Sequence, residues 1–445
     1  MKESLIKKLK NYICKNITEE FFKNDMKQKN IKNEKSPRPF KRSILSTLEN
    51  KHVSAVDFKN YDLKKKIISE FANNGDTTIT SLSNLLNLST PKVTEIINEL
   101  IAHEIVQDYG KLNTNGGRKP NVYGLNANAG FFLGIEVRNF YVSLGLLDFK
   151  KNLIKSAQDL PFTLANTPES LQSLCKIIED FIKGLPVKKD KILGIGVNLS
   201  GRINYKTGYS YSYFHFSEDP LSKIIEDRIG IPTYLENDSR AAAYAEFCNG
   251  IVKDEKNVLF LNLDYGIGVG IMMNGQLYYG KSGFAGEIGH IPIFDNEIIC
   301  HCGKKGCLET EASGWALLRL LTQKLKQGSS SILSRNNVSF ENIKLEDVIN
   351  AVSLDDVLAI ELLATIGERL GRGIASLINI FNPELIILGG VLSATKDYIR
   401  LPIKSAINKY SLSLVNNDTD LKMSSLGNTA GIIGSCLLAR NRFLS

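Results

Sequence analysis

The stretch CHCGKKGCLE, residues 300–309, contains three of the chain's seven cysteines. The spacing C-x-C-x4-C does not suit disulfides between neighbouring cysteines, but it allows three thiolates to surround one metal ion. Zinc takes four sulfur or imidazole ligands, and the preceding stretch GEIGHIP, residues 286–292, offers a histidine as the fourth. His301 is an alternative fourth ligand, although it would have to fold back into its own small loop. We predict a Cys3His zinc site formed by His290, Cys300, Cys302 and Cys307.

Four protein ligands leave no coordination position open, so we expect this metal to be structural and not catalytic. The alternative is a group of free, redox-inert thiols. Glu287 and Glu309 lie on the two sides of the cysteine loop in the sequence. A metal that fixes the loop would also fix these side chains, and carboxylates around a small volume can accept hydrogen bonds from the hydroxyls of a sugar.

The composition indicates an intracellular protein of two or three domains. The chain has 445 residues, of which 43% are apolar and 23% charged, as in ordinary soluble proteins. It contains no apolar run of membrane-spanning length, and its first residues, MKESLIKKLKNYICKN, do not form a secretory signal. We therefore expect a cytoplasmic location, where cysteines remain reduced and bind metals more often than they pair.

The positive charge is concentrated at the N-terminus. The net charge of the chain is +8, and residues 1–60 carry fifteen Lys and Arg against seven Asp and Glu. Such a segment either attracts a polyanion or is a solvated arm without a partner.

Residues 61–125 predict a winged helix-turn-helix and a linker. Apolar residues recur with helical spacing at 63–71, 79–86 and 90–102, and residues 105–112 indicate a hairpin that would form the wing. Such a module binds DNA or, less often, another protein. In the DNA-binding case the third helix enters the major groove, where its outward side chains reach bases or phosphates. These side chains are Thr90, Lys92, Thr94 and Asn98, with Glu95 either accepting from cytosine or facing solvent.

From residue 131 onward, apolar β-rich runs alternate with helical patterns, which indicates an α/β fold. The predicted strands are 131–137, 141–147, 193–199, 258–263, 269–273 and 385–388. The predicted helices are 170–182, 238–247 and 355–381.

Four motifs stand out in this region. They are ENDSRAAAYAE at 236–246, LNLDYGIGVGIMMNGQLYYGKSG at 261–283, GEIGHIP with CHCGKKGCLE at 286–309, and LIILGGVLS at 385–393. Together they resemble the ROK family, named for repressors, open reading frames and kinases, and the resemblance covers about residues 60–445. It implies a two-lobed, actin-like (ribonuclease-H-like) domain with a sugar in the cleft. It also implies sugar contacts from Asn237, Asp238, Glu287, His290 and Glu309.

The phosphate-binding loops distinguish the kinases of this family from its repressors. The kinases resemble D-x-G-x-T in the first strand turn, where this chain has IEVRNF at 135–140. Their second loop resembles G-T-G-x-G, where this chain has DYGIG at 264–268 and places a carboxylate at the phosphate position. We therefore predict that the ATP site is lost. Asp238 matches the general base of the kinases and would here be only a hydroxyl acceptor.

The resulting prediction is a DNA-binding transcriptional regulator, a repressor, with a sugar as its effector. The alternatives are an active ATP-dependent sugar kinase with a regulatory head and a non-enzymatic scaffold. By resemblance to the repressors, Arg118 and Lys119 in GGRKP, residues 116–120, would enter a minor groove. Operator DNA and a sugar are the expected partners, and the expected assembly is a homodimer or homotetramer.

The expected domain boundaries follow from these patterns. Residues 1–60 form a basic arm, and 61–125 form the winged helix-turn-helix with its linker. Residues 126–245 form the first lobe, and 246–427 form the second lobe with the zinc and sugar-binding loop. A C-terminal helix at about 428–445 is expected to complete the first lobe.

Overall fold

The computed structural model of the protein describes residues 55–111, 120–334 and 340–444. The chain divides into two compact units, 1–50 and 51–445, and every described residue belongs to the second unit. Most of the predicted basic arm therefore lies outside the described residues. Within these ranges, no helix combines the length and the apolar character needed to cross a membrane.

The first part of the described chain is a three-helix module with a small sheet. Thr78 caps the second helix by accepting a hydrogen bond from the Ser81 N–H at 3.2 Å. The inner faces of the helices are apolar and buried, including Ile67, Phe71, Leu82, Val93, Ile96, Ile97 and Leu100. The elements are α1 (Ala55–Asn74), β1 (Thr77–Thr78), α2 (Ile79–Leu86), α3 (Thr90–Ala102), β2 (Val106–Lys111) and β3 (Asn121–Leu125).

The wing is larger than the hairpin predicted at 105–112, and that prediction is wrong. This segment contributes the single strand β2, which pairs antiparallel with β3, and β3 in turn pairs with β1. Gly110 has a φ of 86° and lies in a register shift between Asp108 and Lys111. The glycine therefore bulges the strand instead of reversing it.

Two five-stranded sheets with the same topology form the rest of the fold. In each, the central strand pairs antiparallel with the next strand in sequence and parallel with a later one. The first sheet has the order β10-β7-β4-β5-β6, and the second has the order β13-β12-β11-β14-β15. This duplication defines two lobes. The strands are β4 (Phe131–Val137), β5 (Tyr141–Asp148), β6 (Leu153–Pro161), β7 (Ile192–Leu199), β10 (Thr233–Asn237), β11 (Val258–Leu263), β12 (Ile267–Met273), β13 (Gln276–Leu277), β14 (Leu385–Gly389) and β15 (Asp420–Met423).

Helices connect the strands, and a small hairpin of β8 (Ile203–Asn204) and β9 (Tyr209–Ser210) follows β7. The helix predicted at 355–381 begins slightly later, because Asp356 accepts a hydrogen bond from the Ala359 N–H at 2.9 Å and caps it. The helices are α4 (Pro168–Lys183), α5 (Leu221–Ile229), α6 (Asp238–Asn249), α7 (Glu309–Ala312), α8 (Gly314–Lys326), α9 (Leu345–Ser353), α10 (Val357–Phe381), α11 (Asp397–Tyr410), α12 (Ser413–Asn417) and α13 (Ala430–Leu444).

Helix α13 is buried between the first sheet and α6. Its residues 430–440 are all buried. A Cβ added at Gly434 would lie 1.9 Å from the carbonyl oxygen of Ala241 in α6, so the two helix backbones touch. On the sheet side, Asn198 Nδ2 of β7 donates to the carbonyl of Gly431 at 2.8 Å. These contacts hold α13 against the sheet and α6, and they leave no space for a residue larger than glycine at position 434.

We predict that Gly434→Ala destabilises the protein by about 2 kcal/mol, because the added methyl group would meet a backbone carbonyl that cannot rotate away. The measurement is the midpoint of urea unfolding followed by circular dichroism. Gly194→Ala in β7 is the control, since a Cβ there would meet its nearest atom, Cε2 of Tyr234, at 3.4 Å, an ordinary van der Waals contact. Equal losses of stability in the two variants would contradict the close contact of the two backbones.

Candidate functional site

The four residues predicted to bind a metal lie together in the second lobe. The histidine ends a short 3₁₀ turn (Ile288–His290), and the cysteines follow in a loop in which Ile299 pairs with Lys305. One ligand atom from each residue lies within 4.8 Å of all the others in the set of His290, Cys300, Cys302 and Cys307.

The distances in this cluster fit a single tetrahedral zinc ion. His290 Nδ1 lies 3.5 Å from Cys300 Sγ, and the Sγ atoms of Cys302 and Cys307 are 3.7 Å apart. At the tetrahedral angle, zinc bonds of about 2.3 Å to sulfur and about 2.1 Å to nitrogen imply about 3.8 Å between sulfurs and about 3.6 Å between sulfur and nitrogen. Both the donor types and their spacing therefore suit zinc.

The alternative ligand His301 lies outside the cluster. Its ring packs beside Trp315 with 5.0 Å between ring centroids, and its Nδ1 lies 3.9 Å from a carboxylate oxygen of Glu309. The His301 side chain is 73% exposed. His290 therefore completes the set of four donors.

The cluster contacts both acidic residues that flank it in the sequence. His290 Nε2, the ring nitrogen on the other edge from the thiol contact, lies 3.7 Å from Glu287 Oε2. Cys300 Sγ lies 3.8 Å from Glu309 Oε1, and the Ile267 N–H donates to Glu309 Oε2 at 3.2 Å. A metal in the cluster would therefore hold the side chains next to both carboxylates in place.

Asn237 and Asp238 lie where β10 meets α6. Asn237 Oδ1 caps the helix by accepting from the Arg240 N–H at 3.1 Å, and its Nδ2 donates to the Asp238 carboxylate at 2.9 Å. The second carboxylate oxygen of Asp238 accepts from Asn262 Nδ2 at 3.3 Å. Burial raises the pKa of Asp238, although the hydrogen bond from the following backbone N–H opposes the shift.

Both parts of the predicted sugar site lie against the start of strand β12. The Ile267 N–H contacts Glu309, as described above, and the adjacent Gly268 packs against the first turn of α6. A Cβ added at Gly268 would lie 2.1 Å from Ser239 Oγ. The structure therefore brings the beginning of α6 and the metal-binding loop to the same short backbone segment.

The sequence patterns did not single out two residues that shape this site. Asn262 is a polar residue in the otherwise apolar strand VLFLNL, and that exception was the available signal. Arg240 forms a buried ion pair with Glu236 at 2.7 Å and donates to the Gly283 carbonyl at 2.7 Å. It thereby positions the backbone that leads to Glu287. The only sign of this role in the sequence was the spacing of four residues between Glu236 and Arg240.

The predicted DNA-contacting positions lie on α3. Thr90 and Asn98 are exposed. Thr94 Oγ1 donates to the Thr90 carbonyl at 2.8 Å, and Lys92 Nζ forms an ion pair with Glu95 at 3.0 Å. Glu95 therefore pairs with the only lysine of this helix.

Arg118 and Lys119 fall within residues 112–119, outside the described residues. In the sequence, these residues fall between β2 and β3. The contact of these two cations with a minor groove stays a prediction.

Comparison with known proteins identifies both parts of the chain. The sequence model of the ROK family matches residues 132–442, and that of a winged helix-turn-helix DNA-binding domain matches residues 62–107. The xylose repressor of Bacillus spizizenii is 29% identical over 384 residues, which cover 86% of this chain and 95% of the relative. The glucokinase of Halalkalibacterium halodurans is 32% identical over 273 residues, which cover 61% of this chain and 83% of the relative.

The fold has a close counterpart among solved structures. A ROK family transcriptional regulator, a homologue of the E. coli MLC protein, matches with a TM-score of 0.73 and 26% identity over 87% of this chain and 97% of that chain. These matches confirm the predicted winged helix-turn-helix followed by an actin-like ROK domain. The chain therefore belongs to the ROK family and is one of its DNA-binding transcriptional regulators.

Proposed function

We propose that this protein is a repressor whose affinity for operator DNA falls when a sugar binds in the cleft between the two lobes. The similarity to a xylose repressor over most of both chains supports a sugar as the effector. The observation that carries the proposal is the continuous packing from the predicted sugar site, through α6 and α13, to the DNA-binding module.

The acceptors in the cleft define the chemistry of the effector. Asp238, Glu287 and Glu309 offer carboxylate oxygens, and Asn237 and His290 add an amide and an imidazole. Each hydroxyl of a sugar can donate one hydrogen bond, so a polyhydroxylated ring would satisfy several of these groups together. In this function Asp238 accepts a hydrogen bond and removes no proton.

A packed route connects this site to the DNA-binding module. Asp238 begins α6, and α6 touches α13 where Ala241 meets Gly434. Near the other end of α13, the buried Arg440 donates to the carbonyl of Ala72 in α1 at 3.3 Å. A sugar that displaced α6 would therefore displace α13 and, with it, the module.

A second contact ties the module to the first lobe. Lys150, in the turn after β5, forms an ion pair with Asp76 at 2.8 Å and lies 4.2 Å from the centroid of the Tyr109 ring. Asp76 directly precedes β1, and Tyr109 belongs to the wing strand β2. One lysine of the lobe therefore contacts the module at two places, which supports a fixed relation between the two.

The proposed cofactor is one structural zinc ion held by His290, Cys300, Cys302 and Cys307. With four protein ligands it would supply rigidity and no reactive coordination position. His290 would bind it through Nδ1, which leaves Nε2 directed at Glu287. The metal would thus hold the sugar-facing side of the loop in one arrangement.

We further propose a homodimer or homotetramer as the DNA-binding form. Operator half-sites for helix-turn-helix proteins are spaced by whole helical turns, about 34 Å each, so two recognition helices must be held at a matching distance. A changed orientation of the modules would then lower operator affinity without unfolding either one.

The alternative function is an ATP-dependent sugar kinase with a regulatory head, in which Asp238 would be the general base. The likeness to a glucokinase covers 61% of this chain, against 86% for the xylose repressor. The turns at 135–140 and 264–268 also carry charged and bulky residues in place of the kinase motifs. Release of ADP with a hexose panel, at a rate of about 1 s⁻¹ or more, would favour the kinase.

We predict that Asp238→Asn abolishes the response to sugar and leaves operator binding without sugar unchanged, because the substitution removes a hydroxyl acceptor outside the DNA-binding module. The measurement is fluorescence anisotropy with the gene's own upstream DNA at fixed salt, titrated with aldoses that include D-xylose and D-glucose. For the unmodified chain, the effective sugar should lower operator affinity by about tenfold.

The matched control for this experiment is Asp180→Asn. Asp180 lies on the surface in α4 and pairs with Lys183 at 3.0 Å, so its neutralisation should leave the sugar response intact. An operator affinity that no aldose in the panel changes would contradict the proposed function.

We predict that Cys302→Ser removes the zinc and lowers the melting temperature by about 5 °C or more, because the free energy of binding a structural metal contributes to folding. Zinc is measured by mass spectrometry of the purified chain, and melting by differential scanning fluorimetry. Cys248→Ser, a half-buried thiol outside the cluster, is the control and should retain the metal. A chain that purifies without zinc and melts identically in both variants would show that this cluster does not bind the ion.

We predict that Glu95→Gln strengthens DNA binding about threefold, because it releases Lys92 from an ion pair and lets it contact a phosphate. The slope of log affinity against log salt should steepen by about 0.9, the value for one further phosphate contact. Anisotropy titrations at several salt concentrations measure both quantities. Glu70→Gln in α1 controls for the net charge of the module, and identical slopes for the two variants would argue against a DNA-facing Lys92.

A further inference from the structure

Three carboxylates and one arginine meet at the base of the cleft. Arg138 Nε and Nη2 donate to the same oxygen of Glu136 at 3.0 and 2.9 Å. Arg138 Nη1 lies 3.5 Å from Asp264 Oδ2. Asp238 is near enough for the charges of Arg138 and Asp264 to act on its carboxylate. In this group of four, carboxylates outnumber the cation three to one.

Arg138 joins the two lobes. It lies in the turn between β4 and β5, and Asp264 lies in the corresponding turn between β11 and β12. Next to this ion pair, the rings of Phe140 and Tyr265 meet edge to face with centroids 5.8 Å apart. Arg138 Nη1 also contacts Tyr141 Oη at 3.3 Å. One guanidinium and one aromatic pair therefore fill the space between equivalent turns of the two lobes.

Burial strengthens these charge interactions. The side chains of Glu136, Arg138 and Asp264 are 7%, 19% and 22% exposed, so water screens them weakly. Burial raises the pKa of Glu136, and the charge of Arg138 acts in the opposite direction. Burial opposes the charge on Arg138, but Glu136 and Asp264 together hold its pKa well above the usual value. The guanidinium is therefore charged and already paired.

An anionic group in this space would meet a different environment from an uncharged one. It would have to break the ion pairs of Arg138 or lie beside carboxylates that repel it. An uncharged sugar can instead donate its hydroxyls to those carboxylates. The charges of this group therefore favour the binding of uncharged ligands over anionic ones, whatever the shape of the ligand.

We propose that Arg138 determines the specificity of the cleft by acting as a permanent internal cation, so that the cleft takes uncharged sugars and excludes phosphorylated sugars and nucleotides. This inference rests on the proposed sugar-binding function and adds the class of sugar. It also gives a joint role to two sequence features. In the sequence, Arg138 in IEVRNF and Asp264 in DYGIG belong to two different segments that depart from the phosphate-binding motifs of the kinases. In the structure, these two residues contact each other.

The first test compares sugars in pairs by isothermal titration calorimetry on the full chain: D-glucose with D-glucose 6-phosphate, and D-mannose with D-mannose 6-phosphate. The uncharged member should bind at least about tenfold more tightly, because the phosphate would add two like charges to an acidic space. A phosphorylated sugar that binds as tightly as its uncharged partner overturns the inference and leaves the proposed sugar site standing. If neither member of any pair binds, the sugar site itself is wrong and the inference falls with it.

The second test uses inorganic pyrophosphate and needs no sugar. The unmodified chain should show no binding at millimolar concentration, whereas Asp264→Asn, which releases one side of Arg138, should gain binding of pyrophosphate that is measurable at that concentration. The double variant Asp264→Asn, Arg138→Met should lose that gain, and Asp180→Asn should match the unmodified chain. Melting curves establish that each variant is folded. Asp264→Ser is a second variant that removes the ion pair between Asp264 and Arg138. Pyrophosphate or Mg-AMPPNP binding to the unmodified chain, or no gain in either released variant, would overturn the role of Arg138.

Discussion

The contact between α6 and α13 is the constraint on which the rest of the structure depends. At Gly434 and Ala241 the two backbones touch, which leaves no room for either helix to move toward the other. Helix α6 begins with Asp238 in the cleft, and α13 ends beside the DNA-binding module through Arg440. A cleft between two lobes and a module that reads DNA are therefore connected by rigid elements. This connection is what a protein needs if a small ligand is to change its affinity for an operator.

The cleft combines two ways of arranging polar groups. On one side, a Cys3His cluster suited to zinc contacts Glu287 and Glu309 and would hold them in fixed positions. On the other, Arg138 bridges Glu136 and Asp264 across the lobes. In the proposed function, the first arrangement would present acceptors to the hydroxyls of a sugar, and the second would leave little room for a phosphate group. We propose that together they let this fold recognise a ligand without reacting with it.

Much of this was predictable from the sequence because the decisive signals are local. The C-x-C-x4-C spacing brings its cysteines together whatever the surrounding fold, and the apolar periodicity of residues 63–102 identifies the three helices of the module. The wing was not predictable in the same way. Gly110 indicates a turn or a bulge equally well, and only the pairing of β2 with the distant β3 decides between them.

The charge network of the cleft also could not be predicted from the sequence. Arg138 and Asp264 are 126 positions apart, and nothing local indicates that they contact each other. The same holds for Asn262 and Asp238, and for Arg240 and the carbonyl of Gly283. In α3, by contrast, Lys92 and Glu95 are three residues apart, so helical geometry already permits their ion pair. Contacts between lobes depend on topology, which residue patterns specify only weakly.

If sugar binding and operator binding are coupled through these helices, each ligand must lower the affinity of the protein for the other by the same factor. The most direct measurement is therefore the affinity of the effective aldose in the presence of saturating operator duplex, compared with a scrambled duplex of equal length. We expect the operator to weaken sugar binding by the same factor, about tenfold, by which the sugar weakens operator binding. A sugar affinity that is identical with both duplexes would contradict the coupling of the cleft to the DNA-binding module.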